Sequence, residues 1–297
     1  MTEEYKSCRL CRRECGVNRT ENERGICSST DEMTVARAAL HMWEEPIISG
    51  ERGSGAIFFG GCSLGCIYCQ NREISRQGKG KKVSVKRLAE IMLELQGQGA
   101  HNINLVTPTH FAPSIKESVS LARSQGLSVP VVYNTGGYDS ISTLRMLEGT
   151  VDVYLPDFKY YRSKTAKLYS NAENYPESVL ETIKEMLRQT GRAQIGKDGL
   201  IKRGVVVRIL LLPGHVAEAK LILKQLYTSF KDEIFISLMS QYTPIPNMPR
   251  PLDRPVTKQE YRELLDYAAG LGITNAFTQN RESSSEAYIP SFDGEGV

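Results

Sequence analysis

The 297-residue chain has no cysteine after residue 69, a single tryptophan and four histidines. No apolar run approaches the eighteen or so residues that cross a bilayer, so no transmembrane helix is expected. The start, MTEEYKSCRL, is acidic and polar and lacks the basic-then-apolar build of an export signal. The net charge of +3 is too small to point to nucleic acid or a membrane surface. Together these absences predict a cytoplasmic protein with neither kind of partner, in a compartment where thiols stay reduced. A disulfide framework fits badly as well, because seven is an odd count and the chain is large.

What is present clusters at the front. The seven cysteines fall into two sets. Cys62, Cys66 and Cys69 lie in GGCSLGCIYCQN, residues 60–71, at the spacing C-x3-C-x2-C. A structural zinc site closes with four ligands, and a disulfide takes two. Three thiols make an unfinished coordination sphere, which suits metal chemistry. Thiolates select zinc and iron–sulfur clusters, and a four-iron cluster held by three cysteines leaves one iron open. Gly60 and Gly61 let the backbone pass close to such a group. The second set, Cys8, Cys11, Cys15 and Cys27, has the spacing C-x2-C-x3-C-x11-C. It suits a closed zinc or lone-iron site or a second, electron-relaying iron–sulfur cluster; free thiols are the remaining reading.

Residues 1–48 are read as a small cysteine-rich metal-binding module, poor in large apolar residues and in need of a staple. A strand over residues 32–43 leads out of it. Residues 49–280 alternate apolar strands with amphipathic helices. The strands are expected near 55–61, 102–108, 129–134, 151–157, 204–214 and 233–240. Residues 275–279, a final apolar piece, are a candidate for one more. Helices are expected at 83–96, 113–126, 176–191, 215–230 and 256–270, the first capped by Ser84 and the last by a Thr257–Glu260 capping box. Near-continuous apolar strands covered by helices predict a parallel sheet with right-handed crossovers. Six units fall short of a closed eight-fold barrel, so the predicted fold is α/β, a partial (β/α)6 TIM-like barrel. Its chemistry would sit at the C-terminal strand ends, where the cysteine triad lies. Residues 281–297, rich in serine and glutamate at their start, read as a loose C-terminal tail.

C-x3-C-x-aromatic-C after the first barrel strand resembles the signature of the radical S-adenosylmethionine (SAM) enzymes, over roughly residues 50–250. The resemblance implies a [4Fe-4S] cluster on Cys62, Cys66 and Cys69. It also implies reductive cleavage of S-adenosyl-L-methionine to a 5′-deoxyadenosyl radical that abstracts hydrogen. Within the superfamily the chain is similar to the pyruvate formate-lyase activating enzyme-like group with an N-terminal cysteine cluster. By that likeness Tyr68 matches an aromatic beside the adenine. Asp157 and Lys159 resemble a D-x-K motif at the methionyl end, and Arg208 with Pro213-Gly214 resembles a fifth-strand motif. Asn134-Thr135-Gly136-Gly137 resembles an Asp-Thr-Asn-Gly segment in which the Asp helps hold a monovalent cation; Asn134 carries one charge fewer. In place of the usual Gly-Gly-Glu stands Thr107-Pro108-Thr109-His110, so the Thr107 or Thr109 hydroxyl would meet the cofactor amine.

The target implied first is a glycyl radical enzyme, activated with electrons from a flavodoxin-like donor. Direct action on a small molecule or peptide is the alternative, and a non-catalytic metal-binding or assembly protein the third. The basic run at 78–87 is read as a solvated loop or a donor dock. His110 is placed facing the active site as a loop residue or a catalyst, and His215 as a helix cap or a cofactor contact. Trp43, Glu44 and Glu45 read as packing and surface charge; Gln241 and Tyr242 read as pocket lining or core.

Overall fold

The computed structural model describes residues 3–278 and 290–297. Seven strands run parallel in the order β2 (Ser54–Phe59), β4 (Ile103–Val106), β5 (Val131–Thr135), β6 (Val153–Pro156), β8 (Ile201–Leu210), β9 (Phe235–Met239) and β10 (Ala276–Thr278). The order follows the chain, so each crossover winds the same way and the sheet curls into an open barrel rather than a doubly wound sheet. All six expected strands form. The apolar piece near the end is a seventh, β10, and residue 279 lies outside the described residues.

The open side is extended by β1 (Met33–His41), antiparallel to β2, and by β3 (Lys81–Val83), antiparallel to β1. The segment leading out of the N-terminal cysteines is thus bonded into the barrel sheet. The short β7 (Gln194–Ile195) pairs with the start of β8, which is why that strand begins before the expected residue 204. The outer layer holds α3 (Val85–Gly97), α4 (Ala112–Ser124), α5 (Ile141–Met146), α6 (Ser163–Ser170), α7 (Tyr175–Thr190), α8 (Val216–Phe230) and α9 (Lys258–Gly270). The Ser84 hydroxyl accepts from the Arg87 N–H at 3.1 Å, and the Thr257–Glu260 capping box is complete. Each cap of this kind is worth about 1 kcal/mol.

Two short helices, α1 (Pro46–Ser49) and α2 (Arg72–Ser75), were not legible as helical periods. α1 seals the N-terminal end of the barrel. Ile47 and Ile48 pack against the inward-facing Val132, Val153, Leu155 and Val206. Each such buried aliphatic side chain contributes about 1.5–3 kcal/mol relative to exposure.

The tail expected to be loose from residue 281 is different where it is described. Residues 290–297 return to β1, with the Ala38 N–H donating to the Glu295 carbonyl at 2.9 Å and Phe292 packed on Phe58. The N-terminal module lies over the opposite rim. Tyr5, Cys8 and Leu10 form its small core. Arg19, fully buried, stacks on Tyr5 and Phe111 and donates to the carbonyls of Thr30 and His110. No helix among the described residues is long and apolar enough to cross a membrane.

Candidate functional site

The C-terminal strand ends enclose a cavity of about 260 Å³. Cys62, Cys66, Cys69, Tyr68, Thr107, Thr109, Asn134, Thr135, Asp157, Lys159 and Arg208 all line it. Sequence spacing spread these residues over 146 positions; the parallel strands gather them because every strand ends at the same rim.

The triad loop leaves β2 through Gly60 and Gly61. Gly61 has φ +89°, and a Cβ there would stand 2.4 Å from the Ser29 hydroxyl and 2.7 Å from the Cys27 carbonyl. Only glycine lets the loop run against the N-terminal module. The three sulfurs each face a donor from this chain: Ser170 Oγ to Cys66 Sγ at 3.0 Å, Ser75 Oγ to Cys69 Sγ at 3.4 Å, and the Gly65 N–H to Cys62 Sγ at 3.5 Å. Burial pushes the Cys62 thiol up to about 12, with the neighbouring Cys66 and Cys69 adding to it. Burial raises Cys69 as well. Thiols this reluctant to ionise would lose their protons to solvent when a metal cation binds the sulfur, and each already has a hydrogen-bond donor suited to a thiolate. The residues present therefore fit a thiolate-ligated metal group.

Opposite the thiols is a buried ion network. Arg208 Nε donates to Asp157 Oδ1 at 2.8 Å, Nη2 to Asn134 Oδ1 at 2.7 Å, and Nη1 reaches Glu44 Oε2 at 3.3 Å. Lys159 Nζ donates to the second Asp157 oxygen at 2.6 Å. Burial alone would raise Asp157, but Arg208 and then Lys159 outweigh it and hold the carboxyl below its usual range. Arg208 thus occupies the space between Asn134 and Asp157, where the sequence left a cation site in doubt.

The Thr107 backbone is left-handed at φ +60°, an uncommon conformation for a β-branched residue. The Thr109 and Thr135 hydroxyls both donate to the buried Asp139, each at 2.7 Å. Asp139, which also accepts from Tyr133 at 3.0 Å, was missed in the sequence. Tyr68 is buried, with its ring edge-on to those of Tyr160, Tyr169 and Tyr242 at 6.1–6.4 Å. The Tyr175 hydroxyl accepts from the Lys159 N–H and stands within hydrogen-bond reach of the carbonyls of Asp157 and Gly136. It ties two strand ends together, another role with no sequence signal.

Three sequence readings need correction. His110 does not line the cavity: its Nε2 bonds the Gly60 carbonyl at 2.7 Å beneath the triad loop. Burial, then Arg19, pushes it down to about 3, so it stays neutral. Glu44 and Glu45 are not surface charge, because the segment after β1 turns into the barrel and both line the cavity. His215 makes no cap bond; its Nε2 meets the Tyr169 hydroxyl at 3.0 Å. Gln241 and Tyr242 do line the cavity, and Trp43, 58% exposed, stands at its rim. In the basic run, Lys79, Lys82, Lys86 and Arg87 each face a nearby carboxylate.

The N-terminal thiols of Cys8, Cys11 and Cys27 are buried and that of Cys15 exposed. Burial raises Cys11 first, and the charges of Cys27, Cys8 and Cys15 add to it, so the four share one neighbourhood. Among the described residues, no three His, Cys, Asp or Glu side chains form a group that could hold a single metal ion.

The sequence pattern of the Radical SAM superfamily matches residues 56–226. An uncharacterized protein of Methanocaldococcus jannaschii is 29% identical over 250 residues, covering 81% of this chain and 67% of that protein. Among solved structures, a radical SAM methyltransferase from Sphaerobacter thermophilus aligns with a TM-score of 0.54 and 14% identity, covering 76% of this chain. SuiB of Streptococcus suis bound to S-adenosylmethionine aligns with a TM-score of 0.52 and 11% identity over 78% of this chain. The alignments span 66% of the methyltransferase and 51% of SuiB. At these identities they speak to the fold.

Proposed function

This chain belongs to the radical SAM superfamily, and we propose that it cleaves S-adenosylmethionine reductively and abstracts a hydrogen atom from a molecule seated in the barrel. The observation that carries the reading is the convergence of three thiols and the Asp157–Lys159–Arg208 network on one cavity. Cys62, Cys66 and Cys69 would hold a four-iron cluster, which when bound and reduced would supply the electron for cleaving the sulfonium–carbon bond. The chain's own part is position. Ser170, Ser75 and the Gly65 N–H orient the sulfurs. Lys159 and Arg208 offer cationic groups to a carboxylate, held in place by Asp157. Tyr68 and its ring neighbours keep water from that side.

A glycyl radical on a partner enzyme is the second reading, in keeping with the activating enzyme-like resemblance. The open sheet supports it: among the described residues β10 and β3 are the two free ends, and no strand pairing closes the barrel between them. An extended loop could enter there. We also propose that Cys8, Cys11, Cys15 and Cys27 take a second metal, zinc or an iron–sulfur cluster, by drawing together side chains that, among the described residues, do not converge on one point. A flavodoxin-like protein as donor and a cytoplasmic setting complete the proposal, since both cysteine sets are free thiols.

The test is anaerobic reconstitution with iron and sulfide, then reductant and S-adenosylmethionine, with 5′-deoxyadenosine quantified. It is run alone, with the small-molecule fraction of a lysate, and with its macromolecular fraction. Stimulation by the small fraction supports direct catalysis. Stimulation by the macromolecular fraction with a glycyl signal in spin resonance supports the activase. Residual product in Cys62→Ala, Cys66→Ala or Cys69→Ala refutes the cluster assignment.

A further inference from the structure

Beneath the cofactor residues the barrel has an unsatisfied polar floor. Among the described residues, four buried side-chain nitrogen or oxygen atoms lack a hydrogen-bond partner: Glu45 Oε2, Asn104 Oδ1, Asn104 Nδ2 and His110 Nδ1. Three of the four belong to this floor. Asn104 is on the inner face of β4 with 0% exposure, lies behind Glu44 within its hydrogen-bonding reach, and does not itself line the cavity. Glu45, 5% exposed, stands against Ser237 of β9. Both glutamates line the cavity.

Burial raises both the Glu44 and Glu45 carboxyls, Glu45 to about 7, and outweighs the Arg208 charge that both feel. Arg208 spends its donors on Asp157, Asn134 and Glu44, and Lys159 spends one on Asp157. Among the described residues Glu45 forms no ion pair of its own; Arg208 attracts it from farther off, and Ser237 is its side-chain hydrogen-bond partner. A buried carboxylate oxygen with no donor is costly, and a native fold keeps such a group where a ligand completes it.

We propose that this floor is the substrate subsite of the cavity and recognises a small molecule bearing a protonated amine, which donates to Glu45 Oε2, an unpartnered atom of a residue that lines the cavity. The reading rests on the proposed hydrogen abstraction, because it places the amine end of the substrate below the site of radical formation. A peptide could present the same chemistry through a lysine side chain; a cavity of about 260 Å³ favours a free metabolite.

The test is calorimetric titration of the anaerobic, cluster-loaded protein with ethanolamine, agmatine and L-lysine, and with ethylene glycol and 1,4-butanediol as uncharged controls. A lysine-containing peptide forms a separate arm. At least one free amine should bind about tenfold or more tightly than the diols, the value of one charge-assisted bond. That preference should vanish in Glu45→Gln and persist in Asn104→Ser, whose side chain lies behind the cavity wall, with both variants checked for folding by circular dichroism. Equal affinity for amines and diols, or an amine preference that survives Glu45→Gln, overturns the proposal and leaves the floor to bound water. Binding of the peptide but of no free amine overturns the metabolite reading. The two proposals fail separately. Glu45-dependent amine binding without 5′-deoxyadenosine formation sinks the radical reading alone. 5′-Deoxyadenosine formation without amine binding sinks this one alone.

Discussion

Replacing Arg208 by Met keeps most of the side-chain volume and removes the one cation that joins three strands. In the wild type the guanidinium is 13% exposed and bonds Asp157, Asn134 and Glu44, whose carboxylates are 18% and 10% exposed. Lys159 still holds Asp157 at 2.6 Å, so the loss falls mainly on Glu44. Stranding a buried carboxylate in this way costs about 3–5 kcal/mol. For a chain of this size that is about 6–10 °C in melting temperature. The pH dependence has a definite sign. Asp157 is held below its usual range, so its contribution is present above its unfolded value and fades only in strong acid. Glu44 is raised by burial and Glu45 to about 7, and without Arg208 both rise further. Carboxyls raised in the folded state lose stability as pH climbs through the folded value. The variant's deficit should therefore be larger at about pH 8 than at about pH 5.5, measured by urea unfolding at both. Adding Glu44→Gln should recover part of it at the higher pH. A loss under about 1 kcal/mol, equal at the two pH values and unchanged by Glu44→Gln, would refute the claim that the network is desolvated and electrostatically coupled.

Gly61→Ala combines a left-handed backbone with contacts of 2.4 and 2.7 Å to Ser29 and Cys27; it should cost about 2–4 kcal/mol and lower iron retention, read by melting and metal analysis, and an unshifted melt would show that the module yields freely. Asp139→Asn places an amide among three hydroxyl donors, Thr109, Thr135 and Tyr133. It should lose about 1–3 kcal/mol and raise KM for S-adenosylmethionine, and an unchanged KM would remove the two threonines from cofactor binding.

What could be read from the sequence was whatever repeats or clusters locally. The strands β4, β5, β6, β8 and β9 are apolar runs, and three cysteines within eight residues announce themselves without any partner. Asp157, Lys159 and Arg208 were reached through motif likeness at strand ends, and they meet across 2.6–2.8 Å. Glu44 and Glu45 were missed because two acids beside a tryptophan have the composition of a surface turn. Only the antiparallel return of β1 on β2 carries them into the barrel. Asp139 was missed for a related reason: its partners lie 4 to 30 residues away, two on β5 and one on the turn after β4, and no local period links them. His110 was expected at a strand end, but β4 stops at Val106; the left-handed Thr107 redirects the chain into a 3-10 turn over Thr109–Phe111 and sends the imidazole under Gly60.

Arg13 shows how far the N-terminal module and the triad loop are one unit. Its guanidinium donates to the Ser63 carbonyl at 2.9 Å, to the Leu64 carbonyl at 3.3 Å and to the Ser170 carbonyl at 2.6 Å, and it also reaches that of Asn171. The first two belong to the loop between Cys62 and Cys66. The last two are at the C-terminus of α6, where a cation also meets the helix dipole. Ser170 in turn donates to Cys66. One planar fork therefore sets the spacing between the loop and the helix that orients its second sulfur. Arg13→Ala should cost about 2–4 kcal/mol, and Lys should not rescue it, because an ammonium cannot span carbonyls on two elements. A purely structural role would stop there. A positioning role predicts more: in iron-free protein the alkylation of Cys66 should accelerate about tenfold over that of Cys15, and reconstituted protein should lose iron faster to a chelator. Equal acceleration at every cysteine would mean global loosening. Unchanged rates in a protein that still melts lower would detach the module from the chemistry of the triad.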